Sequence, residues 1–324
     1  MRGTHIYESR HTLTDVIAHL QARLLSTVVT RVIKAPPVRL TDREVAEPEL
    51  VLVPTRHGSV RCYITRAAPD APLAQSAAAP PVYINIHGGA FLIGAPHQDD
   101  HLVRSIAGEV GATVVNIDYS TAPKASYPQA HEECYDVLQW VQNSGETNGW
   151  DSKRIAVGGG SAGGNLALGT IELNRQAGGP SLRAAILVVP TVDQTIPAAN
   201  YTSPLGRPPG RGEKPFVNPR LVRAMSATYF RDTSRRAEGL ASPALLEDEL
   251  VALPPLLVLS AERDSLRPQI ERFVEKARGK GASVTYHCFI GVDHGFPVMP
   301  KGPGKEALRE LSQRMKDHLL EHLA

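Results

Sequence analysis

Six stretches of this chain, most of them apolar from end to end, recur between helix-like and loop segments, and that rhythm limits its folds more than any other feature. They are Pro81 to Ile86, Thr113 to Asp118, Arg154 to Gly158, Ala184 to Val189, Leu256 to Ser260 and Ser283 to Ile290. A strand with one wet face alternates apolar and polar residues, so a run without alternation is covered on both faces. Helical stretches such as Ala130 to Asn143 and Pro268 to Lys280 lie between them. The pattern predicts an α/β protein in which a mainly parallel sheet is sandwiched by helices. Two earlier runs, Glu49 to Pro54 and Ser59 to Thr65, are short, closely spaced and more polar. They suit an antiparallel hairpin at the sheet edge.

Elsewhere the sequence is less regular. Leu13, Val16, Ile17, Leu20 and Leu24 fall on one face of an opening helix, which must then lie against something apolar, and Ala35-Pro36-Pro37 breaks the chain after it. Ala67 to Pro80 reads as a surface loop. Tyr201 to Pro215, with Gly, Pro and basic residues, reads as a lid or a long surface excursion. At 324 residues the chain can bury a large core. A net charge of +2 with both signs mixed gives no field that would recruit nucleic acid. Cys62, Cys134 and Cys288 are odd in number and lack metal-ligand spacing, which suits free thiols in a reducing cytoplasm. The first ten residues hold no apolar signal region, and no segment approaches the length of a membrane span, so stable membrane insertion is not expected.

Chemistry enters at Gly159-Gly160-Ser161-Ala162-Gly163, a G-x-S-x-G pentapeptide between the run Ile155-Ala156-Val157 and the helix-like Asn165-Leu166-Ala167-Leu168. A strand that turns abruptly into a helix strains its corner residue and leaves no room for side chains beside it, hence the small neighbours. Ser161 would stand at a helix N-terminus, where free N–H groups favour negative charge. The same letters satisfy a dinucleotide fingerprint, Gly158-x-Gly160-x-x-Gly163. That reading lacks an acidic residue closing the next strand, which ends in Pro190, with Asp193 only beyond it.

Other residues favour the nucleophile. Tyr83-Ile84-Asn85-Ile86 runs into His87-Gly88-Gly89-Ala90-Phe91, and consecutive glycines at a strand's C-terminal end can turn backbone N–H groups toward a developing oxyanion. The N–H of Ala162 would share that task. A serine hydroxyl needs a base and an orienting acid. Of twelve histidines, His5, His11, His19, His318 and His322 sit in terminal helices and are expected to be solvated. His294, in the loop Gly291-Val292-Asp293-His294-Gly295-Phe296 after the last strand, can reach the sheet's C-terminal edge. Leu256 to Ser260 delivers Asp264 to the same edge, with Glu262 as the alternative acid; Asp293 is poorly placed to face its neighbour's imidazole. His97, Asp99, Asp100 and His101 raise a metal reading, but acids at a helix start have a simpler explanation, so no metal or other cofactor is expected.

With these residues together, the chain resembles the hormone-sensitive-lipase-like (bacterial type IV) esterases of the α/β-hydrolase superfamily. The shared motifs are His87-Gly88-Gly89-Ala90-Phe91, Asp118-Tyr119 with Ala122-Pro123 and Tyr127-Pro128, Gly160 to Asn165, Leu240-Ala241-Ser242-Pro243, Leu253-Pro254-Pro255 with Ser260-Ala261-Glu262 and Asp264, and His294-Gly295-Phe296. The resemblance implies an α/β-hydrolase fold with an eight-stranded, mostly parallel sheet and a helical cap. Cap helices would occupy residues 1–40, core 41–192, a cap insertion 193–240, and core again 241–324. It implies Ser161 as nucleophile, Asp264 as orienting acid and His294 as base, with an oxyanion hole at Gly88, Gly89, Ala90 and Ala162. The implied substrate is a small-molecule ester with a short or medium acyl chain, and a homodimer is the candidate assembly. Amide, formamide or lactone hydrolysis, acyl transfer, and a non-catalytic receptor are the alternatives. Three departures stand out: Gly160 where relatives carry Asp, Ala90 for the last glycine of the oxyanion loop, and Ser265, for a common Pro, which is expected to loosen its loop.

Overall fold

The structure, a computed structural model, describes residues 17, 20, 22–30, 33–76, 78–205 and 214–324. Its centre is one eight-stranded sheet: β1 Glu49–Thr55, β2 Gly58–Thr65, β3 Val82–Ile86, β4 Thr113–Asp118, β5 Ile155–Gly160, β6 Ala184–Val188, β7 Leu256–Ala261 and β8 Val284–Phe289. The spatial order is β1-β2-β4-β3-β5-β6-β7-β8. Only β2 runs against its neighbours, so the more polar pair does form the antiparallel edge, and every other pairing is parallel.

Both faces of the sheet are covered, which is why its central strands carry no polar alternation. All five residues of β3 and all five of β6 are buried. Successive side chains of one strand enter different cores. Ile84, Val157 and Leu187 pack on the side of α2 Gln129–Asn143, α3 Ala162–Gln176 and α5 Arg267–Gly279. Tyr83, Ala156 and Ile186 pack on the side of α1 Asp100–Ser105 and α6 Gly304–Leu323. A further helix, α4 Pro219–Thr228, belongs to the insertion after β6. It begins at an Asn218 cap, whose Oδ1 accepts from the N–H groups of Arg220 and Leu221.

Three local expectations change. Leu13 and Val16 lie outside the described residues, but Ile17, Leu20 and Leu24 are exposed, while Ala22 is buried. Ala22 is about 200° round the helix from Leu20, so the segment buries this small residue and leaves Ile17, Leu20 and Leu24 accessible. Ala67 to Pro80 is not merely a surface loop. Ala68, Ala71 and Leu73 are buried in the α1/α6 core, and the N–H groups of Ala68 and Leu73 bond the carbonyls of Ala107 and Val110. His318 is not solvated: α6 lies flat on the sheet, so the stripe through Leu311, Met315 and Leu319 carries His318 inward with it. There Nε2 lies 3.3 Å from the Pro255 carbonyl. His322 is half-buried, and His5, His11 and His19 lie outside the described residues.

Candidate active site

Four loops at the C-terminal ends of β3, β5, β7 and β8 meet because parallel strands place all their C-terminal ends on one edge. The turn from β5 to α3 is as tight as its composition requires. Ser161 sits at φ 54°, in the left-handed region, and its N–H bonds the Val188 carbonyl at 2.8 Å. Added Cβ atoms at Gly159 and Gly163 would overlap the Ile86 carbonyl oxygen, and one at Gly164 would come within 2.8 Å of Pro190 Cβ. These glycines are therefore fixed by space. Gly160 is not: a Cβ there meets nothing nearer than Val188 O at 3.9 Å.

Ser161 Oγ lies 3.0 Å from His294 Nε2, and His294 Nδ1 lies 2.7 Å from Asp264 Oδ2. The three candidates from separate loops thus form one hydrogen-bonded line. Asp264 is fully buried, and its second oxygen accepts from the Leu266 N–H at 2.9 Å. His294 is 6% exposed and stacks on Phe216, ring centres 5.7 Å apart. Glu262 is occupied elsewhere, accepting from the Gly291 N–H at 2.8 Å. Asp293 accepts from the N–H groups of His294 and Phe216, and burial raises its pKa.

The loop after β3 is held by Gln98, which the sequence did not single out, and by Tyr119 of the Asp118-Tyr119 motif. Gln98 Nε2 donates to the Gly88 carbonyl at 3.0 Å, and Tyr119 Oη donates to the His87 carbonyl at 3.1 Å while stacking on the His87 ring. Burial lowers the His87 pKa to about 4, so this imidazole is neutral. Gly89 has φ 129°, and a Cβ there would overlap Ile93 O. Ala90 is itself left-handed, at φ 53°, so the residue standing where relatives have glycine keeps a glycine-like backbone. The N–H groups of Gly89 and Ala90 have no acceptor among the described residues. Ala162 opens α3, where N–H groups have no partner within the helix. Gly88 faces the elbow, its Cβ position 3.6 Å from Ser161 Cβ.

A further network, whose bracing role was not read from the motifs that contain Asn165 and Ala241, supports the elbow from behind. Asn165 is fully buried, donates to the carbonyls of Thr191 and Ala241 at 3.0 Å each, and lies 3.0 Å from His131 Nε2. An Asn inside an otherwise apolar helical run was the available signal. Ser265 also differs from expectation: its Oγ donates to the Val217 carbonyl at 2.6 Å, which ties the acid loop to the insertion instead of loosening it. The residues His97, Asp99, Asp100 and His101 point apart. His97 pairs with Asp100 at 3.2 Å, Asp99 turns toward Asn85, and His101 Nε2 lies 2.9 Å from the Pro297 carbonyl.

A cavity of about 710 Å³ contains Ser161, His294, Gly88, Gly89 and Ala90. Phe216, Val217, Leu221 and Met225 wall it from the insertion, and Leu24 and Ile33 from the N-terminal region. Tyr201 lines it too, while residues 206–213 of the expected lid lie outside the described residues.

A two-sided sheet of this order, with an elbow serine at its C-terminal edge, defines an α/β-hydrolase. Comparison with known families agrees: residues 83–298 match the alpha/beta hydrolase fold family, and the chain belongs to it. It is 29% identical over 274 residues to esterase LipI of Mycobacterium tuberculosis, covering 82% of this chain and 81% of that one. It is 30% identical over 225 residues to an arylesterase of Saccharolobus solfataricus, covering 67% of this chain and 69% of that one. Among solved structures, carboxyl esterase 2 of Tuber melanosporum superposes with a TM-score of 0.76 at 25% identity, over 94% of this chain and 98% of that one. These relatives bear out the resemblance read from the motifs. No helix among the described residues is long and apolar enough to cross a membrane.

Proposed function

We propose that the chain hydrolyses carboxylic esters through an acyl-enzyme on Ser161. The relatives named above support ester hydrolysis. The observation that carries the residue assignment is the Ser161–His294–Asp264 line, with 3.0 Å and 2.7 Å links, inside a cavity. His294 takes the Ser161 proton as Oγ attacks the ester carbonyl, then returns it to the leaving alcohol. Water repeats the sequence on the acyl-enzyme. Asp264 holds the imidazole in the tautomer with its free nitrogen toward Ser161. The unpaired N–H groups of Gly89 and Ala90, together with that of Ala162, stabilise the tetrahedral oxyanion, and Gly88 allows the backbone to turn.

The finer reading concerns size and place. A half-open, largely apolar cavity of about 710 Å³ suits a short or medium acyl chain. The described parts of segments 1–40 and 193–240 form a cap over core segments 41–192 and 241–324; the support is that Leu24, Ile33 and Phe216 all line the cavity. Free thiols at Cys62, Cys134 and Cys288 suit a cytoplasmic enzyme. Ser161→Ala is expected to lower p-nitrophenyl butyrate hydrolysis on the order of 10⁵-fold, to abolish fluorophosphonate labelling, and to leave the circular dichroism unchanged. Wild-type turnover by this variant would end the proposal, and a rate optimum at palmitoyl esters would end the acyl-length part of it.

A further inference from the structure

One flank of the catalytic cavity is polar in a way that the triad does not use. Tyr83 and Asn85, on one face of β3, line it together with Gln98, Asp99 and Leu102. Asp99 is only 8% exposed. Its one hydrogen bond among the described residues is a long contact, 3.5 Å, from Asn85 Nδ2, whose better bond, 2.9 Å, goes to Asn116 Oδ1. No cation among the described residues pairs with Asp99, and burial pushes its carboxyl up to about 7. Neighbouring Asp100 has His97 instead. Burial, helped by Asp99, also holds the Tyr83 phenol protonated.

Room for that phenol is built into the sheet. A Cβ on Gly158 would overlap both Tyr83 Oη and the Ile186 carbonyl oxygen of the neighbouring strand, so the glycine admits the phenol and the close strand together. A buried carboxyl so poorly satisfied costs stability, and a leucine of similar volume would avoid the cost. Such a group on a cavity wall is explained by a ligand that completes its hydrogen bonds.

We propose that Tyr83, Asn85 and Asp99 form a polar subsite of the catalytic cavity that recognises a hydroxyl group carried by the ester substrate. The inference rests on the reading of Ser161 as the nucleophile of that cavity. A hydroxyl both donates and accepts, so it can give its proton to Asp99 and accept one from Tyr83. It is also neutral, so it enters a largely apolar cavity at lower desolvation cost than an ammonium, which has no lone pair with which to accept the Tyr83 proton. The selected substrates are therefore hydroxy-substituted esters.

The test compares kcat/KM for paired esters: p-nitrophenyl butanoate, hexanoate and octanoate against their β-hydroxy and ω-hydroxy forms, and simple alkyl butanoates against monobutanoates of diols. Ammonium-bearing counterparts complete the set. Wild type is expected to prefer the hydroxylated member of at least one series by about tenfold. That ratio should fall toward one in Asp99→Leu and independently in Tyr83→Phe, the milder change should Asp99→Leu fail to fold. Fluorophosphonate titration of Ser161 on each preparation separates the two readings: no labelling of wild type defeats the catalytic assignment. Full labelling with no hydroxyl preference in any series, or a preference unchanged in both variants, overturns the subsite. A stronger preference for the ammonium esters overturns the choice of hydroxyl.

Discussion

Ser161, the proposed nucleophile, takes φ 54° at the corner between β5 and α3, and its neighbours are small for different reasons. Gly163 is fixed by the Ile86 and His87 carbonyls, whereas Gly160 borders open cavity. The sequence displayed both as glycines of one motif and could not distinguish them, because the clash partner of Gly163 lies on β3, far away in the chain. Gly163→Ala is therefore expected to lose about 1–3 kcal/mol or more of stability, since backbone must shift to admit the methyl. Gly160→Ala should be neutral or slightly stabilising, as alanine restricts the unfolded chain. Thermal melts of the two variants check this, and equal losses would contradict it. The same open space means that an Asp at 160, the residue the family resemblance led one to expect, would meet no backbone obstacle at its Cβ.

At the scale of elements, the critical joint is β5 to α3, and it is braced by a helix residue whose partners come from three other segments. Asn165 satisfies the carbonyls of Thr191 and Ala241 and the ring of His131, which in turn lies 3.1 Å from Tyr229 Oη. Thr191 N–H also bonds the Ser161 carbonyl at 3.2 Å, so loosening this network reaches the elbow directly. Asn165→Leu leaves three buried polar groups without partners and is expected to cost about 3 kcal/mol or more in urea unfolding. Its kcat should fall with KM little changed, because the serine is displaced while the cavity walls remain. A loss below about 1 kcal/mol would contradict this account. Strand limits and the helices read at Ala130 to Asn143 and Pro268 to Lys280 were legible within a residue or two, since periodicity carries them. The partners of Asn165 were not, because hydrogen-bond geometry between distant segments leaves no periodic trace.

For the whole molecule, the buried histidines set the response to acid. Burial lowers His87, His101, His131 and His318 to about 4, below the ordinary 6.5. The unfolded chain therefore takes up protons first as pH falls, so the stability these groups allow is complete above pH 6.5 and is lost toward pH 4. Asp99 acts oppositely. Its folded value of about 7 exceeds the unfolded 3.8, so it favours the folded state most at low pH and loses that contribution as pH rises toward 7. The four histidines outweigh Asp99 and the more modestly raised Asp100 and Asp293, so stability is expected to fall as pH drops from 6.5 toward 4. Urea titrations between pH 5 and 7 measure it, and a flat profile would refute it. The chain by itself determined the two-sided sheet and the hairpin edge and nominated Ser161, His294 and a short choice of acids as candidates, because burial pattern and residue chemistry are local properties written in order. Only the tertiary structure decided which acid meets His294, which helix face turns inward, and what lines the cavity. Those outcomes depend on angles and distances between segments far apart in sequence, fixed by packing across the sheet.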